Sequence, residues 1–104
     1  MARKELQVVI SRQKETVSVA LSGEANFDFD QSEAHIKKVL AHKPKTVVVE
    51  AGELTFISSV GVCFLINLRR AVREAGGDVK VRGLQPQVRK VMEQARVMQL
   101  FEGE

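Results

Sequence analysis

The sequence predicts a single α/β domain, built on a mixed, mostly parallel sheet of four to five strands with helices packed on it. Three observations carry that expectation. The chain has 104 residues, a size at which one domain buries roughly two thirds of its unfolded surface and folds without staples, so residues 1–104 read as one unit. Period-two apolar stretches alternate with stretches spaced i, i+3, i+4, in the order β-β-α-β-α-β-α, and such alternation implies right-handed crossovers between parallel strands. The run Val47-Val48-Val49 is apolar without alternation, the pattern of a strand covered on both faces.

The elements follow in order. Leu6 to Ile10 is short and rich in β-branched residues, and Gln13-Lys14-Glu15 is a polar break. Val17, Val19 and Leu21 then alternate with Ser18, Ala20 and Ser22, as in a strand with one buried face. The two stretches pair as an antiparallel hairpin, although the turn lacks Asn-Gly. Gly23-Glu24-Ala25-Asn26 closes the second strand. Asp30 and Glu33 form a capping box, with Phe29 and Ala34 as a weak staple. The helix they open runs to about His42 with Ile36, Val39 and Leu40 inward, and Pro44 stops it. After the strand at Lys45–Glu50, Gly52-Glu53-Leu54-Thr55 reads as a loop. A second helix, from Ser59 or Val60 to Ala75, turns Phe64, Leu65, Leu68, Ala71, Val72 and Ala75 inward and Arg69, Arg70, Arg73 and Glu74 outward, and Gly76-Gly77 ends it. Asp78 to Arg82 is a strand and Gly83 breaks it. Pro86 suits the first turn of a last helix with Val88, Val91, Met92 and Ala95 inward, and Leu100-Phe101 is a final apolar anchor.

Composition narrows the function. Net charge is +3 and the chain has neither Trp nor Tyr, a poor basis for nucleic-acid binding by phosphate attraction and base stacking. No apolar run approaches the ~20 residues of a membrane span, and the N-terminus has no signal-peptide core, so a cytoplasmic protein is expected. The lone cysteine, Cys63, lies in an apolar run and reads as a buried thiol. His35 and His42 are the only histidines, both on the first helix. The serines at 58 and 59 stand outside the Gly-x-Ser-x-Gly elbow of hydrolases. No residue set suggests catalysis, a metal or a cofactor.

The informative stretch is Thr55 to Leu68, where an apolar helix opens with two serines. A serine there caps the helix through its side-chain oxygen. The same place collects unpaired N–H groups and the positive end of the helix dipole, and so tolerates a phosphate. Capping physics alone leaves open which serine caps and whether either is modified.

Several stretches together resemble the STAS domain, shared by sulphate transporters and bacterial anti-sigma factor antagonists. They are Gly23-Glu24, Phe56-Ile57-Ser58-Ser59-Val60-Gly61, Gly76-Gly77, Leu84-Gln85-Pro86-Gln87-Val88-Arg89-Lys90-Val91 and Leu100-Phe101. Each is weak alone; their joint spacing is specific, and nearly the whole chain is covered. The resemblance implies a stand-alone antagonist. In that family the centre commonly reads Asp-Ser-Ser-Gly or Asp-Ser-Ala-Gly, and the serine after the Asp accepts phosphate. Ungapped placement makes Ser59 the phosphoacceptor, with Ser58 the second choice, and puts Ser58 where the Asp stands. Asn26 stands where Asp is frequent, and Arg96 where a helix-ending Gly is usual, so the last helix is expected to run on.

The resemblance further implies the partners: an anti-sigma factor with serine kinase activity, and a phosphatase that resets the switch, with neither membrane nor nucleic acid engaged. The expected partner-binding residues are Asn26, Phe27, Ser58, Ser59, Val60, Gly61, Val62 and Arg69. The alternative is a STAS scaffold subunit of a stress-signalling or transport complex, using the same helix face without a phosphate cycle.

Overall fold

The computed structural model describes residues 6–25 and 29–101. Four strands form one sheet in the order β1-β2-β3-β4: β1 (Gln7–Gln13), β2 (Thr16–Ala25), β3 (Thr46–Ile57) and β4 (Asp78–Arg82). Helices α1 (Phe29–Ala41), α2 (Ser59–Glu74) and α3 (Pro86–Gln94) complete the order β-β-α-β-α-β-α, followed by a 3₁₀ turn at Met98–Leu100. The expected fold class holds, with four strands.

β1 and β2 pair antiparallel from Gln7↔Ser22 to Gln13↔Thr16. Two residues join them, and Lys14 takes the left-handed conformation (φ 58°) that Asn or Gly would adopt more easily. β2–β3 and β3–β4 are parallel.

All three helices share one face of the sheet. Val39 of α1, Phe64, Leu65, Leu68 and Val72 of α2, and Val88 and Met92 of α3 join one cluster with Val17, Val19, Leu21, Val47, Val49, Leu54 and Val79 of the sheet. The expectation that β3 is covered on both faces is therefore corrected. Val48 points to the opposite side, where its register neighbours are Ser18 and Lys80, and no described helix lies over it. Val48 is nonetheless only 6% exposed because a central strand is flanked by side chains on both sides. On the same outer side Ala20 and Lys80 are exposed, as is Val9 at the β1 edge.

Four further expectations are corrected. Residues 52–55 are strand: β3 continues to Ile57, paired with a β2 that continues to Ala25. Two register shifts interrupt this pair, between Ala20 and Ser22 and between Gly23 and Glu24, with Gly23 at φ 87°. Buried residues then recur as Ala51, Leu54 and Ile57, a spacing of three that hides a bulged strand from a period-two test. α1 begins at Phe29, so position 30 lies inside the helix and not at its N-cap. Cys63 is exposed, not buried; the stripe facing the core passes through Val62, Phe64 and Leu65 instead.

The last helix does not run past Arg96. It stops at Gln94, and Arg96 itself takes the left-handed conformation (φ 60°). The Arg96 N–H donates to Glu93 O and the Val97 N–H to Met92 O, both at 3.0 Å. α2 closes in the same way, with Gly76 (φ 93°) donating to Arg73 O and Gly77 to Val72 O. Both ends are Schellman motifs. At α3 the pull of Val97, Met98 and Phe101 into the core outweighs the strain of a left-handed arginine.

Candidate functional site

The extended β2–β3 pair delivers the chain directly to the start of α2. Ile57, the last residue of β3, is buried; Ser58 leaves the strand in an extended conformation (φ −87°, ψ 173°) and is the N-cap of α2. Its Oγ accepts the Gly61 N–H at 3.1 Å and donates to the Ala25 carbonyl at 3.0 Å. The Ser58 N–H donates to that same carbonyl at 3.0 Å. The question left open by capping physics is thus answered: Ser58 caps and Ser59 does not.

Ser59 is the first helical residue and its side chain is exposed. Its hydroxyl has no hydrogen-bond partner among the described residues. The first helical bond of α2 runs from the Val62 N–H to Ser58 O at 2.9 Å. Because the Gly61 N–H goes to the cap, the N–H groups of Ser59 and Val60 are left to solvent or a ligand, as at any helix start. Together with the positive end of a 16-residue helix they form a place suited to added negative charge.

Gly61 explains why a glycine stands here. A Cβ at this position would lie 2.7 Å from Ala25 O and 2.7 Å from Ile57 Cγ1. Only a bare Cα lets α2 descend onto the end of β2.

The expected partner-binding residues separate into groups. Ser59 and Val60 (39% exposed) reach the surface together, with Phe56 (45% exposed) and Cys63 beside them in sequence along β3 and α2. Gly61 and Val62 are buried and shape the surface from beneath. Arg69 stands ten residues further along α2, roughly 15 Å from Ser59. Its Nε donates to Leu100 O at 2.9 Å, tying α2 to the C-terminal turn. Asn26 and Phe27 lie outside the described residues; they follow Ala25, the residue that Ser58 grips. Sequence reasoning gave no functional weight to Phe56 and none at all to Ala25. The exposure of Phe56 follows from its alternation with Ile57 at the strand end, but an alanine that matters through its carbonyl leaves no trace in a sequence.

A groove of about 330 Å³ opens between α1 and α2, lined by Ser32, Glu33, Ile36, Lys37, Asn67 and Ala71. The histidines are not at Ser59: both are in or just beyond α1, and His35 packs edge-on against Phe64, ring centroids 6.4 Å apart. Burial, with Lys38 adding to it, lowers the His35 pKa below the ordinary 6.5. Among the described residues no three His, Cys, Asp or Glu side chains gather as a metal-ligand set. No described helix is long and apolar enough to cross a membrane.

The model of one protein family, "Mlab, STAS domain", matches residues 8–102. The chain belongs to the STAS domain family. Its fold also matches solved structures. The anti-sigma factor antagonist SpoIIAA in its unphosphorylated form superposes with a TM-score of 0.70 at 24% identity, over 89% of this chain and 82% of that one. An anti-sigma factor antagonist from Mycobacterium paratuberculosis gives 0.76 at 21%, over 93% and 83%. The phosphorylated form of SpoIIAA, described as a Bacillus cell fate determinant, gives 0.66 at 22%, over 92% and 87%. At these identities the likeness is one of fold. No curated protein sequence matches the chain. As a STAS domain, the chain has Ser58-Ser59-Val60-Gly61 at the β3–α2 junction, where the family resemblance expected its acceptor motif.

Proposed function

We propose that this STAS domain is an anti-sigma factor antagonist that works by partner switching. Unphosphorylated, it binds an anti-sigma factor that is also a serine kinase, and the bound sigma factor is released. The kinase then transfers the γ-phosphoryl group of ATP to Ser59 Oγ: the new O–P bond forms as the bond to ADP breaks, and the hydroxyl proton passes to a base of the kinase. The domain is substrate and ligand in this cycle, not enzyme. A phosphatase hydrolyses the ester and resets it. The observation that carries this role is the exposed Ser59 hydroxyl at the first position of α2, without a partner among the described residues, beside a Ser58 whose hydroxyl is already committed in both directions.

A phosphate at Ser59 adds about −1.5 to −2 charges and three acceptor oxygens. The open amides of α2 accommodate it, so the fold changes little. A partner packed over Phe56 and Val60 loses its apolar contact and meets a charge. A penalty of about 2.7 kcal/mol lowers affinity a hundredfold, enough for a switch.

Incubation with the serine kinase encoded nearest the gene, with ATP and Mg²⁺, tests this. Intact mass should rise by one phosphate in the natural protein and not in Ser59→Ala. Unmodified protein that co-purifies with a large assembly favours the second role, a STAS scaffold subunit. The occupation of position 58 by a serine used for capping, in place of the family's acidic residue, is the observation on that side.

A further inference from the structure

The Ala25 carbonyl is the meeting point of three parts of the site. It accepts the Ser58 N–H at 3.0 Å and the Ser58 Oγ–H at 3.0 Å, one for each lone pair. It also fills the space that a Cβ on Gly61 would occupy, 2.7 Å away. The Ser58 oxygen meanwhile accepts the Gly61 N–H. A carboxylate cap has acceptor oxygens only. It can hold the Gly61 amide, but it cannot donate to Ala25 O and would set negative charge against that carbonyl.

We infer that Ser58 is a positioning residue: its hydroxyl is a two-way latch that fixes the end of β2, at Ala25, against the first turn of α2 that carries Ser59. The inference rests on the partner-switching role proposed above for what it says of phosphorylation, but the latch itself is a property of the fold. It assigns the two serines different work. Ser59 is the group that changes state. Ser58 supplies a proton to Ala25 O, so an ester on its oxygen would remove the donor and release β2 from α2. It also gives a reason for the departure from the family pattern in this chain. Here the hydroxyl holds two segments where a carboxylate would hold one, and restoring the acidic residue should impair the site.

Three variants separate a latch from an ordinary helix cap. Ser58→Thr keeps donor and acceptor, Ser58→Asp keeps the acceptor alone, and Ser58→Ala keeps neither. Amide hydrogen exchange at residues 58 and 61, measured on the intact chain without any partner, reads the latch directly. Loss of a cap-type bond speeds exchange about fivefold, the equivalent of ~1 kcal/mol. Thr should protect both amides as the natural protein does, and Ala should lose both. Asp should keep Gly61 protected and lose protection at residue 58, because the Ala25 carbonyl is pushed away. Equal protection of both amides in the Asp and natural proteins overturns the latch, since that is what a plain cap predicts.

With the kinase, Asp should raise KM severalfold at unchanged kcat, and Thr should restore KM. Unchanged KM in Asp overturns the positioning role even if the exchange pattern appears. If the natural protein takes no phosphate while the exchange pattern is as expected, the partner-switching role has failed and the latch has not.

Discussion

Ser58 and Ser59 are chemically identical neighbours with opposite fates, and one backbone step decides which is which. The first leaves a strand and turns its oxygen back over the helix end; the second is already helical and points outward. Gly61 makes that step possible. Gly61→Ala should place a methyl carbon against Ala25 O and Ile57, one contact being backbone that cannot swing aside. Overpacking of this kind costs about 1–3 kcal/mol, so the melting temperature should fall by roughly 4–8 °C per kcal/mol. An unchanged melting temperature would show that α2 does not bear on β2 as described. Arg96 is the converse case. A left-handed L-residue is strained, and glycine removes the strain while adding backbone freedom to the unfolded chain. Arg96→Gly should therefore stabilise the domain by about 0.5–1 kcal/mol in urea unfolding. A loss of stability would mean that the arginine side chain contributes more than its backbone costs.

At the scale of elements, the helices were legible because their stripes and stops are local. α2 is legible to within a residue at each end from its 3.6 periodicity and Gly76-Gly77, and the start of α3 from Pro86, but not its end, which lies at Gln94 and not beyond Arg96. β3 was not, since its second half alternates irregularly through two register shifts with β2; the pairing that makes it a strand lies about thirty residues away in sequence. Val48 misled for a related reason: a central strand is buried by its neighbours even on an uncovered face. The resemblance marks Ser59 as the expected acceptor, whereas the division of labour proposed for Ser58 and Ser59 rests on the Ala25 carbonyl, which no pattern announces. Helix α1 carries its own pH signature. Burial holds the His35 pKa below 6.5, so the folded state binds its proton less readily than the unfolded chain does. That contribution to stability is present above about pH 6.5 and is lost as pH falls through the folded value. Unfolding free energy should drop between pH 7 and pH 5 more in the natural protein than in His35→Gln. Parallel curves would remove His35 from the account.

Across the whole molecule, the sheet is asymmetric, and the proposed function builds on that. The helices cover one face, and α2 starts where β3 ends, hydrogen-bonded to the end of β2. The core secures this arrangement. Phe64 and Leu68 are fully buried one helical turn apart, below the turn that carries Ser59. Leu68→Ala should cost about 2–5 kcal/mol, a large part of the roughly 5–15 kcal/mol that holds a domain together. If stability is unaffected, the core is not where the packing puts it. The proposed switch calls for no change of fold, only a change of charge on the surface. The most direct measurement is the affinity of the proposed partner, an anti-sigma factor with serine kinase activity, for two forms of this domain, unmodified and phosphorylated at Ser59. The unmodified form should bind, and phosphorylation should weaken binding about a hundredfold, ~2.7 kcal/mol. Equal affinity of the two forms would contradict the proposed switch.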